Sequence, residues 1–215
     1  MKIAVLGTGQ VGDTLSNGFL KHGHEVRRGS REPQKLAEWK AKAGSKASTG
    51  TFAEAAAWGE LVVLAVKGSA AKSAIMLAGE AALAGKTVID TCNPIADTPP
   101  EKGVLQYFTA INDSLMEQLQ KQVPAAHFVK AFSCVGNAVM VNPQLPDGPP
   151  TMFICGNVAA AKIEVRKLLD QLGWHTADMG GVEAARAIEP LCMLWCILGF
   201  THHSWGHAFK LLQPE

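Results

Sequence analysis

The sequence has little excess charge, few cysteines and no long apolar run. Its formal net charge of +1 gives no basic footprint for a nucleic acid. The five cysteines lie among apolar neighbours and are odd in number, which argues against a disulfide framework. The longest apolar run, at 191–200, is shorter than the roughly 20 residues of a membrane-spanning helix. We therefore expect no nucleic-acid or membrane partner and free, mostly buried thiols.

The beginning of the chain also lacks a targeting signal. The first predicted strand starts at Lys2, with no charged leader or cleavage site before it. Apolar residues make up 47% of the chain and charged residues 18%, which is an ordinary globular composition. We therefore expect a cytoplasmic protein.

Short apolar runs alternate with helical stretches along most of the chain. This alternation predicts an α/β fold of the Rossmann-like, doubly wound class, with a mainly parallel sheet. Strands are predicted at 2–6, 25–29, 61–66, 86–91, 127–132, 151–155 and 175–179, and helices at 11–22, 33–43, 70–81, 113–122 and 158–172. Pro33 fits a first helical position, and Ser114 with Glu117 matches a capping box.

The end of the sequence differs in composition from the part before it. Residues 182–212 are strongly apolar and predict a helix or a helix pair, broken near Gly199 or Gly206. We therefore divide the chain into a Rossmann-like domain at 1–180, which the motifs below identify as the NADP-binding part, and a C-terminal helical segment at 181–215. The segment is expected to pack on the domain or at a dimer interface. Two short motifs indicate which ligand the domain at 1–180 binds.

The first motif is GTGQVG, which follows the first predicted strand directly and precedes an amphipathic stretch. Gly7, Gly9 and Gly12 would permit a tight turn, close approach of the backbone to a pyrophosphate and close helix–strand packing. The N-terminus of the next helix would offer N–H groups and a positive dipole end to the phosphates. In this strand–turn–helix context, the motif predicts a dinucleotide site.

The second motif, EVRRGSRE at 25–32, lacks the carboxylate that often ends the second strand. Such a carboxylate hydrogen-bonds the ribose of NAD and would repel the 2′-phosphate of NADP. Ser30 offers a small hydroxyl, Arg31 a planar fork of donors and Lys35 a point charge. These three residues predict an NADP(H) site, the alternative being a solvated basic surface. For Arg27 and Arg28, a solvated basic surface is a sufficient interpretation.

Further cofactor contacts are expected where later strands end, because ligands in open parallel sheets lie beyond the carboxyl ends of the strands. The third predicted strand ends at AVK, the fourth is followed by Asn-Pro and the fifth by Ser-Cys-Val. The residues at these three places are Ala65, Val66, Lys67, Asn93, Pro94, Ser133, Cys134 and Val135.

The sequence offers no obvious acid for carbonyl reduction. Short-chain dehydrogenases pair a tyrosine with a lysine four residues later, but Tyr107 is the only tyrosine and Ile111 occupies that position. β-Hydroxyacid dehydrogenases add a large helical domain, for which too few residues follow the last predicted strand. No residue cluster resembles a catalytic zinc site. We therefore expect hydride transfer between two planar cofactors, which needs alignment more than side-chain acid–base chemistry, and predict no catalytic side chain.

Several motifs together resemble a known family. GTGQVG, GSRE, VIDTCNP, VKAFSCVGN, TMFICGN and ARAIEPLCMLW occur in this order and resemble the NADPH-dependent deazaflavin (coenzyme F-420) reductases. They are also similar to the cytosolic reductase domain of the six-transmembrane metalloreductases, which passes electrons from NADPH to a flavin. The resemblance implies that the phosphate turn comprises Thr8, Gly9, Gln10 and Val11. It also implies a 2′-phosphate clamp of Ser30, Arg31 and Lys35.

The resemblance further implies that Ser133–Gly136 faces the second ring system. These reductases usually carry His or Asn where this chain has Ser133. The expected second cofactor is therefore a flavin or a deazaflavin, and the sequence does not decide between the two. A non-catalytic NADP(H) sensor or scaffold would share every phosphate-site residue and is the alternative function.

Three further features have two interpretations each. His203 and His207 could share a helix face and bind metal, but polar packing is favoured and no metal site is predicted. Cys134 could be a redox thiol, although burial is favoured. The apolar stretch at 193–200 predicts burial against the sheet or a homodimer interface.

Overall fold

A computed structural model describes residues 1–212, and its centre is a parallel sheet. The strands are β1 (Lys2–Leu6), β2 (Glu25–Gly29), β3 (Ala47–Gly50), β4 (Leu61–Leu64), β5 (Thr87–Asp90), β6 (His127–Lys130), β7 (Thr151–Ile154) and β8 (His175–Asp178). The first six form one sheet in the order β3-β2-β1-β4-β5-β6, with every neighbouring pair parallel. This is the doubly wound Rossmann order, which confirms the predicted fold class.

Helices cover both faces of this sheet. They are α1 (Gln10–Lys21), α2 (Ala37–Lys42), α3 (Phe52–Trp58), α4 (Gly68–Ala78), α5 (Glu80–Leu83), α6 (Leu115–Gln122), α7 (Ala159–Gln171) and α8 (Ala185–His202). Successive residues of β4 alternate between the two apolar cores, Val62 and Leu64 in one and Leu61 and Val63 in the other. A strand buried on both faces reads as a continuous apolar run, which is why LVVL was recognisable in the sequence.

Two elements in the first half were not predicted. Strand β3 has the sequence ASTG, and its two central residues are only half-buried, so it lacks an apolar run. Helix α3 begins with a reciprocal capping box between Thr51 and Glu54. The T-x-x-E spacing is a helix-start signal that could have revealed this helix. The predicted helix at 33–43 is also divided, into a 3₁₀ turn at Pro33–Leu36 and then α2.

The C-terminal segment is one helix followed by an irregular stretch, as in the single-helix alternative, but the helix ends ten residues before the predicted Leu212 and is not broken at Gly199. Helix α8 runs through Gly199 and ends at His202, and the residue that follows, His203, has a left-handed φ of 54°. The chain then folds back, and His207 stacks on Trp195 with 4.9 Å between the ring centroids. The backbone N–H of Thr151 donates to the Phe209 carbonyl. The prediction for residues 213–215 lies outside the described residues.

A buried ion cluster fastens α8 to the sheet. Lys130 Nζ, at the end of β6, lies 2.6 Å from Asp90 Oδ2 on β5 and 2.7 Å from Glu189 Oε1 on α8. All three residues are at most 1% exposed. Glu189 also accepts hydrogen bonds from the backbone N–H groups of Leu115 and Met116 at the start of α6. One carboxylate therefore joins three separate elements.

Desolvation by burial lowers the pKa of Lys130, but attraction to Asp90 and Glu189 and hydrogen bonds to both outweigh it and raise the pKa above its ordinary value. The ammonium group therefore stays charged. The segment Val182–His202 is long and apolar enough to cross a membrane by length and composition alone, a criterion that core helices also meet. In this structure Glu189 of the segment pairs with Lys130 inside the protein, and 33% of the apolar window is buried.

Candidate nucleotide-binding site

The glycine turn between β1 and α1 is built for close backbone approach. Gly7 has a φ of +141°, and a Cβ there would overlap the Ala65 carbonyl oxygen. A Cβ on Gly9 would meet no atom within 4 Å, so this glycine borders open space. Gly9 is also the N-cap of α1 and has no side-chain cap. The first N–H groups of α1 are therefore available to an anion beside the turn.

A first cavity of about 310 Å³ opens beside this turn, where the strand order reverses between β1 and β4. Ligands of doubly wound sheets bind at this switch point. The cavity is lined by Gly7, Thr8, Gly9, Ser30, Arg31, Glu32, Lys35, Phe52, Ala65, Val66, Lys67, Ala70, Ser73 and Ala74. Nine of the predicted contacts, from three separate strand ends, therefore share one cavity.

The end of this cavity near β2 carries the charged groups. Ser30 is 4% exposed, and its Oγ accepts a hydrogen bond from the Glu32 backbone N–H at 3.0 Å. Arg31 is exposed. Lys35 Nζ pairs with Glu32 Oε1 at 2.7 Å, and this hydrogen bond holds the pKa of Glu32 below its usual value. Two cations and one carboxylate thus meet at the predicted 2′-phosphate position, and the sequence reasoning had overlooked the carboxylate.

Arg28 lies behind the turn and is only 1% exposed, so the prediction of a solvated basic surface was wrong for this residue. Its guanidinium donates to Asp13 Oδ1 at 2.8 Å and to the Gly7 carbonyl at 3.2 Å. It also lies over the Trp39 ring, 5.0 Å from the centroid. Desolvation by burial lowers the pKa of Arg28, while Asp13 raises it. Arg28 therefore supports the turn from inside, a role that no sequence motif indicated.

A second cavity, of about 400 Å³, continues along the strand ends. It shares four residues with the first, and its lining comprises Gly9, Gln10, Val11, Ala65, Val66, Lys67, Gly68, Thr91, Cys92, Asn93, Ile95 and Asn137. A Cβ on Gly68 would overlap the Asn93 carbonyl oxygen, so the start of α4 and the segment after β5 come close together here. The two cavities form one crevice that runs from Ser30 to Asn137.

Five predicted contacts do not line the crevice. Gly12 lies under the turn, where an added Cβ would come within 3.1 Å of the Gly7 carbonyl, and this supports its predicted packing role. Pro94 is buried. Ser133, Cys134 and Val135 are 2%, 3% and 7% exposed, and Asn137 lines the second cavity in their place.

Two polar atoms at the inner end of the crevice have no hydrogen-bond partner. Asn93 Nδ2 donates to the Ser133 carbonyl at 2.7 Å, which brings these two predicted residues together. Asn93 Oδ1 and Ser133 Oγ are buried without a partner. Buried polar atoms of this kind are uncommon in folded proteins and call for an explanation. An acceptor and a hydroxyl are thus present beside the second cavity.

The structure also bears on the two remaining site hypotheses, a redox thiol at Cys134 and a metal site at His203 and His207. Burial raises the pKa of the Cys134 thiol to about 12, so it is not a thiolate near neutral pH. His203 lies beyond the last residue of α8, so His203 and His207 do not share a helix face. Among residues 1–212, no group of three or more His, Cys, Asp or Glu side chains is arranged to hold a metal ion.

The fold and the crevice define a Rossmann-type dinucleotide-binding protein. Two sets of donors at the first cavity fit NADP(H): uncapped N–H groups of α1 for a pyrophosphate, and Arg31 with Lys35 for a further phosphate. The family model for NADP oxidoreductase, coenzyme F420-dependent, matches residues 2–94. A candidate F420-dependent NADP reductase from Arthrobacter sp. FB24 is 35% identical, with a TM-score of 0.91 over 99% of this chain and 100% of the other. The chain belongs to this family of NADP-dependent oxidoreductases.

Two other proteins are similar to this chain over most of its length. The metalloreductase STEAP3 of Rattus norvegicus is 31% identical over 191 residues, which are 88% of this chain. The chain spans only 36% of the length of that relative. A hypothetical protein from Sinorhizobium meliloti is 24% identical, with a TM-score of 0.75 over 88% of this chain and 89% of the other, and shows the shared fold. The family resemblance seen in the sequence is therefore confirmed.

Proposed function

We propose that this protein transfers hydride between NADPH and a flavin or deazaflavin acceptor. The observation that carries the proposal is the continuous crevice, which has a phosphate-binding end at Arg31 and Lys35 and an inner end at Asn93 and Asn137. The description of the Arthrobacter relative as a candidate F420-dependent NADP reductase supports a deazaflavin. STEAP3, described as a metalloreductase, supports electron transfer from the same kind of domain.

The chain's residues would then have three separate tasks. The backbone of the turn and the N-terminus of α1 hold the pyrophosphate, and Ser30, Arg31 and Lys35 hold the 2′-phosphate. Asn93, which lines the second cavity and has a buried, unpartnered Oδ1, offers a polar contact at the nicotinamide end. Bound NADPH supplies the hydride.

Hydride transfer between two stacked rings needs alignment and exclusion of water more than proton transfer. Ala65 and Val66, at the end of β4, belong to both cavities and would form an apolar wall along the crevice. No side chain has to act as an acid in this scheme.

The direct test mixes purified protein with NADPH under anaerobic conditions and adds deazaflavin, FMN or FAD in separate reactions. Nicotinamide absorbance is followed, with NADH as the control donor. We expect turnover with one acceptor and preference for NADPH. Tight NADPH binding without turnover by any acceptor would favour the sensor or scaffold alternative. Failure to bind either nucleotide would overturn the assignment of the crevice.

We also propose that the protein works in the cytoplasm as a homodimer that pairs through α8. Leu194 and Leu198 are one helical turn apart on this helix and are 55% and 44% exposed, an apolar face suited to a symmetric contact. Leu194→Asp should convert the dimer to a monomer in light scattering, whereas Met76→Asp should not. Met76, 66% exposed on α4, is the matched control. A monomeric parent protein at micromolar concentration would contradict this proposal.

A further inference from the structure

The first cavity contains a carboxylate that the end of β2 does not provide. Ser30 and Arg31 occupy the positions where NAD-binding proteins often carry an acid, but Glu32 follows them and lines the same cavity. Its backbone N–H donates to Ser30 Oγ at 3.0 Å. This hydrogen bond holds the Glu32 backbone in place, and with it the position of the Glu32 Cβ. The carboxylate thus comes from Glu32, after the end of β2, and it still lines the first cavity.

Glu32 also controls the charge available to a phosphate. Its carboxylate pairs with Lys35 at 2.7 Å, and both side chains are half exposed, at 50% and 58%. A pair with this exposure is weak and can exchange partners. A 2′-phosphate entering the cavity would therefore compete with Glu32 for Lys35, and would meet the negative charge of the acid.

We propose that Glu32 is a specificity-determining residue that reduces the preference for NADPH over NADH. This inference rests on the proposed use of the first cavity by the 2′-ribose end of the cofactor. The 2′-phosphate carries nearly two negative charges at neutral pH, so Glu32 opposes NADPH. The ribose of NADH instead presents hydroxyl donors, for which a carboxylate is a suitable acceptor. One side chain thus shifts the two affinities in opposite directions.

The test compares two variants with a closely matched control. Glu32→Gln removes the charge, and Glu32→Ala also removes the acceptor. Glu38→Gln is the control because Glu38 forms a similar exposed pair with Lys42, at 2.6 Å, and does not line the first cavity. Dissociation constants for NADPH and NADH are measured by titration calorimetry, without any acceptor, at low salt and again near 1 M salt.

We expect Glu32→Gln to tighten NADPH binding by about two- to fivefold, the effect of one exposed charge, and the gain to shrink at high salt. NADH binding should weaken, most in Glu32→Ala, while Glu38→Gln changes neither affinity. An unchanged or reduced NADPH preference in Glu32→Gln would overturn the inference, because Glu32 would then merely position Lys35. If the parent protein binds neither nucleotide, the proposed function fails as well.

Discussion

Two lysine–carboxylate contacts of nearly equal length have opposite surroundings in this molecule. Lys35 and Glu32 lie 2.7 Å apart at the mouth of the first cavity, with about half of each side chain exposed. Lys130 lies 2.6 Å from Asp90 and 2.7 Å from Glu189, and none of the three side chains is more than 2% exposed. Burial, and not distance, therefore separates the two regions.

The difference determines what each group can do. Water competes for an exposed pair and screens it, so its partners exchange at little cost and a charged ligand can replace one of them. Buried ions have lost their hydration, and removal of one partner leaves the others without compensation. The exposed pair is therefore suited to recognition, and the buried cluster to holding α6 and α8 in fixed positions on the sheet.

Among the substitutions that test this comparison, Lys130→Met has the largest expected effect. The substitution leaves the carboxylates of Asp90 and Glu189 buried without their cation, and we expect it to lower the free energy of unfolding by about 3–5 kcal/mol. Urea denaturation followed by circular dichroism measures the loss. A decrease too small to detect would show that water reaches the cluster.

A triple variant separates the loss of the ion pairs from the loss of packing. Lys130→Met combined with Asp90→Asn and Glu189→Gln removes all three charges and keeps side chains of similar size. Because replacement of a whole buried cluster is often less harmful than removal of one member, we expect it to unfold at higher urea concentration than Lys130→Met alone. An equal or lower midpoint would assign the stabilisation to shape and hydrogen bonds.

Arg31→Ala tests the exposed region through ligand binding. Loss of one hydrogen bond to a charged group corresponds to about 1.5–3 kcal/mol, so NADPH binding should weaken by about 10- to 150-fold while NADH binding hardly changes. Titration calorimetry with both nucleotides measures this ratio. Unfolding should not be affected, because Arg31 is exposed and lies outside the core.

The control for Arg31 is Arg27→Ala. Arg27 is nearby on β2 but points to Ser48, to which its Nε donates at 3.0 Å, and to the Trp58 ring at 4.8 Å. It does not line either cavity of the crevice. Equal losses of NADPH affinity in the two variants would indicate a general effect of charge, and would contradict a specific clamp at Arg31.

The sequence was most informative where local signals and burial agree. β1 and β2 were predicted to the residue. β1 is an apolar run that ends at the glycine turn, where the structure requires glycine at Gly7, and β2 ends directly before the predicted phosphate clamp. The structure also brings together Ser30, Arg31 and Lys35, whose chemistry could be inferred from charge and strand-end position. The local sequence pattern was therefore sufficient to predict the residues at the phosphate-binding end of the crevice.

The remaining features depend on distances that a sequence pattern does not contain. Arg28 and Arg31 are both arginines near one strand end, yet Arg28 is buried behind the turn and Arg31 is exposed in the cavity. Lys130 and Glu189 are 59 positions apart by numbering, and only the docking of α8 brings them within 2.7 Å. The inner end of the crevice was similarly placed at Ser133–Val135, whereas Asn137 provides the lining.

The smallest expected effect comes from an exposed pair that no ligand contacts in our scheme. Lys42 and Glu38 lie 2.6 Å apart with 74% and 84% of their side chains exposed, and the hydrogen bond from Lys42 lowers the pKa of Glu38. A lowered carboxyl pKa adds stability only above its ordinary value and loses it as the pH falls through the folded value. Because the pair is so exposed, this contribution is small even at pH 7 and decreases further as the pH falls. Lys42→Gln should therefore leave the thermal midpoint unchanged within error at pH 7 and at pH 3. A destabilisation approaching that of Lys130→Met would show that contact distance outweighs burial, which is the opposite of what separates the two regions.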